Sequence, residues 1–174
     1  MHGGFNLRLL GNRSTLLFTF ALNNHLAANR VLGFHLTNLL IHIGVVLLIY
    51  FILIEIRRLL NSGSTQTILL TQEKEPISPT PWHSFPLVCA FLFAVHPLAT
   101  DSVTYISSRS TLLATFFYLL CVYGFLQMFQ PRPYRSRVIK QILLAMGLFI
   151  GFYLALTSKL TAVTLPVMLM LIYL

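Results

Sequence analysis

At 174 residues, with 56% hydrophobic and only 9% charged residues and a mean hydropathy of +0.79, the chain is far more apolar than a soluble domain, where about a quarter of residues are charged. Its net charge of +8 and pI near 10 would suit nucleic acid, but a nucleic-acid reader gathers basic residues on one face of a soluble module. Here they stand between apolar runs, which excludes that class and points to a bilayer.

Residues 1–33 open with MHGGFNLRLLGNRS, which lacks an uninterrupted apolar core ending at a small-residue cleavage site, so no cleavable signal is predicted. A bilayer core of about 30 Å takes roughly 20 apolar helical residues, and five stretches approach that length. The first runs from Phe34 to Ile56 and stops at Arg57 and Arg58. Residues 57–84 carry Ser, Thr, Pro and mixed charge and read as a solvated linker. The second apolar stretch, Phe85 to Pro97, is short, as expected of a tilted, broken or partly re-entrant helix. The third covers about 111–129 and the fourth about 138–156. Between them lies QPRPYRSRVIK, residues 130–140, with Arg132, Arg135, Arg137 and Lys140. The fifth, 161–174, is cut off at the last residue, which points to truncation. The predicted fold is therefore an all-α polytopic membrane bundle of about five spans, one short or broken. It comprises an outward segment (1–33), a first span (34–56), a cytoplasmic linker (57–84) and a four-span block (85–174). The positive-inside rule makes the 57–84 and 130–140 loops cytoplasmic. Residues 1–33, 97–110 and 157–161 then share the opposite face, although Arg8, Arg13 and Arg30 oppose this assignment. Cys89 and Cys121 both lie in apolar runs, where a thiol behaves as a small hydrophobe.

Polar groups inside a membrane are expensive and mark functional candidates. His35, Asn38 and His42 fall at i, i+3 and i+7 of the first span, on one helical stripe. Such a stripe either hydrogen-bonds neighbouring helices or lines a cavity. Two histidines without a third ligand make no credible metal site, so no metal and no cofactor are predicted. At the outer face the topology gathers His96, Asp101, Arg109 and Lys159. The two cations could hold a phosphate, Arg as a fork and Lys as a point charge. They could equally pair with Asp101 or snorkel to water. The acids number only four: Glu55, Glu73, Glu75 and Asp101. Asp101 alone is predicted to face outward, which makes it the candidate base if the chain catalyses alone. No Gly-rich phosphate loop or nucleophile relay is present.

Three stretches carry a family resemblance: NRSTLLFTFALNNHLAANRVLGFHLTNLLIH (12–42), AFLFAVHPLATDSVTYISSRSTLLATFFYLL (90–120) and ALTSKLTAVTLPVMLMLIYL (155–174). The chain resembles polytopic C-type glycosyltransferases that use lipid-phosphate sugars. It is most similar to the membrane half of the transmembrane and tetratricopeptide-repeat O-mannosyltransferases and their bacterial relatives. The resemblance implies a cavity facing the periplasm or lumen, in a bacterial inner membrane or the endoplasmic reticulum. There a polyprenyl-phosphate-linked sugar, by analogy mannose, is donated to a protein or glycan acceptor. It also implies carrier-phosphate contacts at Arg109 and Lys159, cavity positions at His35, Asn38, His42 and His96, and a catalytic position at Asp101. Ser14, Thr111 and Leu160 depart from the pattern, the last two standing where the family carries acids. The upstream acidic motif has no counterpart, so the chain is expected to be a partial enzyme with little activity alone. The competing expectation is a non-enzymatic membrane scaffold or partner subunit acting through the His35, Asn38 and His42 stripe. A transporter would require an inverted repeat, and none is visible.

Overall fold

The computed structural model describes residues 13–27, 31–71, 84–129 and 134–174, apart from the side chains of residues 26–27, 61–71, 84, 100 and 134–137. The order is α1 (Ser14–Ala27), α2 (Val31–Thr71), α3 (Ser84–Val95), α4 (Pro97–Thr104), a 3-10 turn (Ile106–Ser108), α5 (Arg109–Leu126), a second 3-10 turn (Gln127–Phe129), α6 (Tyr134–Ser158), a third (Leu160–Thr164) and α7 (Leu165–Tyr173). The described residues contain no strand. The result is an all-α membrane bundle.

Three helical stretches are long and apolar enough to cross a bilayer: Val31–Leu60, Ile106–Phe129 and Val138–Ser158. At 1.5 Å per residue the shortest of them, 21 residues, spans about 31 Å. A fourth crossing is possible through Phe85–Val95 and Pro97–Thr104, bent by 60° at His96. The expected broken helix is thus observed. Pro97 has no N–H to continue α3 and forces the preceding residue into extended backbone, as at His96 with φ −65° and ψ 130°. The fifth stretch, Leu160–Tyr173, is apolar and short of crossing length, and it divides into a 3-10 turn and a nine-residue helix.

α2 also differs from its expected end. It continues through Arg57 and Arg58 to Thr71. Charge ends an apolar span but does not end a helix, because Arg, Leu and Gln are good helix formers. Arg8 and Arg30, Glu73 and Glu75, and Arg132 lie outside the described residues.

α2 and α5 lie side by side and parallel. Asn38 meets Arg109 near their starts, and Glu55, further along α2, meets Gln127 just past the end of α5, pairs separated by 71 and 72 residues. Midway, a methyl added at Gly44 would lie 2.8 Å from Phe116 Cε2. α6 returns antiparallel, and there a methyl at Gly151 would lie 2.7 Å from Cys121 Sγ. Such close approaches at small residues are how helices pack where lipid removes the hydrophobic drive. An apolar cluster of Ile52, Val122 and Leu126, with Leu169 and Ile172 against it, fills the half of the bundle away from Arg109. On the outside of α6, Phe149 is 81% exposed and Ile139, Ile142, Leu143 and Met146 are exposed beside it. In a bilayer this face meets lipid.

Candidate functional site

The polar end is built where the bent α3–α4 segment folds back onto α2. His96 caps α4, its Nδ1 accepting from Leu98 N–H at 3.3 Å. Tyr105, again extended, closes α4 with its N–H on the Asp101 carbonyl. One short 3-10 turn later Arg109 opens α5.

The α2 stripe grips this segment. His42 Nε2 lies 3.3 Å from the Ala94 carbonyl, its ring stacked on Phe93 with centroids 5.9 Å apart. His35 Nδ1 lies 3.5 Å from the Val103 carbonyl. Asn38 is fully buried; its Nδ2 donates to the Val103 and Tyr105 carbonyls at 3.4 and 3.5 Å. The three side chains therefore engage carbonyls at the two breaks in this segment, Ala94 before His96 and Val103 and Tyr105 at the end of α4.

Asn38 also accepts from Arg109. The Arg109 side chain is 0% exposed. Its Nε donates to Asn38 Oδ1 at 2.7 Å and its Nη2 to the Phe34 carbonyl at 2.9 Å. Two rings cover its Cζ, Phe20 at 4.5 Å and Phe34 at 5.3 Å to the centroids. Nη1 is buried without a hydrogen-bond partner. Among the described residues no acid pairs with this cation. Cation–π contact contributes about 0.5–2 kcal/mol, whereas burying an ion costs several kcal/mol even after relaxation. The aromatic cover alone does not compensate the charge.

Lys159 stands nearby, half-buried, in the extended link between α6 and the third 3-10 turn. Its Nζ donates to Thr111 Oγ1 at 3.0 Å, at the position where the family resemblance led us to expect an acid. Thr111 also lines a cleft of about 190 Å³, together with Ala114, Thr115, Tyr118 and Leu119 of α5 and Thr161 and Ala162. Three threonine hydroxyls and a tyrosine among apolar side chains suit an amphipathic occupant.

The structure thus gathers His35, Asn38, Arg109, Lys159 and the 94–105 backbone at one end of the bundle. His96 and Asp101 are exposed on the same bent segment. Among the described residues the Asp101 carboxylate pairs with neither cation. No three His, Cys, Asp or Glu side chains converge on a common point among the described residues.

Sequence reasoning missed the contribution of α1. Thr15 Oγ1 is 2.6 Å from Thr157 Oγ1, Phe20 covers Arg109, and Asn23 Oδ1 accepts from the Thr37 hydroxyl at 2.5 Å. The polar pair Asn23 and Asn24 ending the apolar run LLFTFAL was at most a weak signal. These contacts place α1, 96–109 and 157–161 at the same end, the grouping that loop charge predicts.

The molecule is a multi-pass membrane protein with a cationic, partly closed polar site at one end of its helices. The chain matches no protein-family model and no solved structure. It is 27% identical over 140 residues to the human protein O-mannosyl-transferase TMTC4, covering 80% of this chain and 18% of that protein. To mouse TMTC4 it is 29% identical over 119 residues, 68% of this chain and 15% of that protein. To the Drosophila melanogaster protein O-mannosyl-transferase Tmtc3 it is 32% identical over 108 residues, 62% of this chain and 11% of that protein. These likenesses support a distant glycosyltransferase-like relationship, and the matched region spans less than a fifth of each relative.

Proposed function

We propose that the chain is part of a membrane glycosyltransferase that moves a sugar, mannose by analogy with its relatives' names, from a polyprenyl-phosphate carrier to a protein or glycan acceptor. Arg109 and Lys159 contact the carrier phosphate on the periplasmic or lumenal side, and the threonine-lined cleft receives the part of the donor beside it. The observation that carries this reading is the pair of cations at one end of the bundle without an acid partner among the described residues. An anion that a membrane delivers laterally would supply the missing charge. Asp101, exposed and without a partner cation, is the candidate base, and the chain by itself transfers little sugar.

The test separates binding from transfer. The purified chain in lipid nanodiscs is titrated with a short polyprenyl phosphate, then assayed with the mannosylated carrier and a peptide acceptor. Binding should weaken at least tenfold in both Arg109→Gln and Lys159→Gln, with little transfer by the wild type. Unchanged affinity in both variants removes the reading. Robust transfer that Asp101→Asn abolishes would instead make the chain an enzyme in its own right. His35, Asn38 and His42, on which a scaffold role would rest, each hydrogen-bond to backbone of the same chain.

A further inference from the structure

Positive charge gathers at the end of the bundle away from Arg109. On α2, Arg57 and Arg58 follow Glu55, and no further acid occurs up to Thr71. On α6, Arg135, Arg137 and Lys140 lie near the start, and no acid follows Asp101 anywhere in the sequence. The packing brings both groups to one level. Glu55 meets Gln127 just past the end of α5, which sets Arg57 and Arg58 level with the second 3-10 turn. α6 runs antiparallel to α5, with Cys121 Sγ 3.6 Å from the Leu148 carbonyl. From that contact Lys140 lies about 12 Å back along α6 and Phe129 about 12 Å on past α5, at roughly 1.5 Å per residue. Arg57, Arg58, Phe129 and Lys140 therefore share one end.

Aromatic rings mark the same level. Phe129 lies between Phe125 and Tyr173, with ring centroids 5.1 and 6.2 Å away, and Tyr173 is 71% exposed. Exposed aromatic rings beside cations at a span end belong to the layer where hydrocarbon meets headgroups. Helix stability does not account for the cations of α6, since a helix dipole disfavours positive charge in the first turns. Ion pairing does not account for those whose side chains are described. Of Arg57, Arg58 and Lys140, Arg58 alone pairs with a carboxylate, Glu55. Glu55 is itself 2% exposed, so among the described residues no exposed acid competes for charge at this end.

We propose that this end of the bundle collects acidic phospholipids from the surrounding leaflet. Arg57, Arg58 and Lys140 hold their headgroups, Arg135 and Arg137 add to the field, and Phe129 and Tyr173 lie at the level of the upper acyl chains. The surface stands at the opposite end from Arg109 and does not depend on the carrier-phosphate reading. Clusters of about four or more Lys or Arg at a span end attract acidic lipid, each cation near the surface adding about fivefold. Net charge selects the ligand. Phosphatidylcholine sets a cation beside its phosphate and is neutral overall, whereas phosphatidylglycerol keeps its negative charge.

To test this, the chain is reconstituted in nanodiscs of phosphatidylcholine and phosphatidylglycerol in equal amounts, and the lipids it retains on release into mild detergent are counted by native mass spectrometry. Retained lipid should be enriched in phosphatidylglycerol about fivefold over the bilayer, the effect of one well-placed cation. The enrichment should fall as salt rises during reconstitution, because ions screen exposed charges. Arg57→Gln combined with Lys140→Gln should bring the two lipids to near-equal retention, with the helical circular dichroism of the wild type preserved. Equal retention of the two lipids by the wild type overturns the proposal. Enrichment that a folded double variant leaves unchanged also overturns it and assigns the acidic lipid to the Arg109 end. The salt series needs the wild type alone and decides the matter if the double variant fails to fold: enrichment indifferent to salt overturns the proposal. A wild type without lipid enrichment that captures a poly-glutamate peptide in neutral nanodiscs assigns the cations to an acidic protein, and that outcome overturns it too.

Discussion

Arg109 and Glu55 are the two largest fully buried side chains of the described residues, and they stand at opposite ends of one helix pair. Each projects between α2 and α5. Glu55, at the far end, has an arginine: Arg58 Nη1 lies 3.6 Å from Oε2, and Gln127 Nε2 donates to the same oxygen at 3.3 Å while reaching Tyr123 Oη at 3.0 Å. Arg109 has one carbonyl, an amide and two rings, but no acid among the described residues. The compensated end needs nothing more to be a fastening between helices. The uncompensated end retains a charge that folding alone does not justify, and that difference directs the functional reading to Arg109 and Lys159.

The largest expected effect tests that inference directly. Arg109→Met keeps much of the side chain's length and removes the charge. Replacing a buried ion by an apolar residue is often neutral or stabilising, so thermal unfolding followed by circular dichroism should show no loss of stability. Lipid-phosphate affinity should fall about tenfold to a hundredfold, the worth of charged hydrogen bonds. A large loss of stability together with unchanged binding would make Arg109 a structural residue like Glu55. The next effect makes the two ends alike. Thr111→Glu sets an acid against Lys159, whose Nζ already reaches Thr111 Oγ1. Phosphate affinity should drop about fivefold to tenfold as the new carboxylate pairs with Lys159 and repels the anion, with at most about 1 kcal/mol gained in stability. Thr111→Gln, without the charge, should have much less effect on binding.

A third substitution probes the seam between the two ends. Gly151→Leu must displace Cys121 Sγ from 2.7 Å, an overpacking that costs about 1–3 kcal/mol. The loss should appear in thermal unfolding, with Gly147→Leu as the control, since no atom lies within 4 Å of a methyl at Gly147.

Helix content, the short broken second stretch and the grouping of 97–110 with 157–161 were legible in the sequence because apolar length and loop charge are local properties. The polar stripe at His35, Asn38 and His42 was legible from helical period alone. What it touches was not, since its partners are carbonyls beside the breaks at His96 and Tyr105, 52 to 68 residues away. Glu55 read only as one of the acids not facing outward, yet Gln127 closes over it from the turn that follows α5. Gly44 and Gly151 carry no local signal at all, because their meaning lies in Phe116 and Cys121. The role of α1 was hidden for a related reason: Phe20 and Asn23 are unremarkable until Arg109 and Thr37 arrive beneath them.

The smallest expected effect is the mirror of the first. Glu55→Gln keeps an oxygen to accept from Gln127 and removes the charge opposite Arg58, whose side chain is 67% exposed. Loss of the ionic component and relief of a buried carboxylate's desolvation act in opposite directions, so stability should change by less than about 1 kcal/mol. Lipid-phosphate affinity should be unchanged, because the whole apolar cluster of Ile52, Val122 and Leu126 lies at this end, away from Arg109. A fall in affinity beyond about threefold would show that the Glu55 end helps to set the register of α2 against α5 at Arg109. The two ends would then be parts of one device, and the contrast between fastening and site would have to be abandoned.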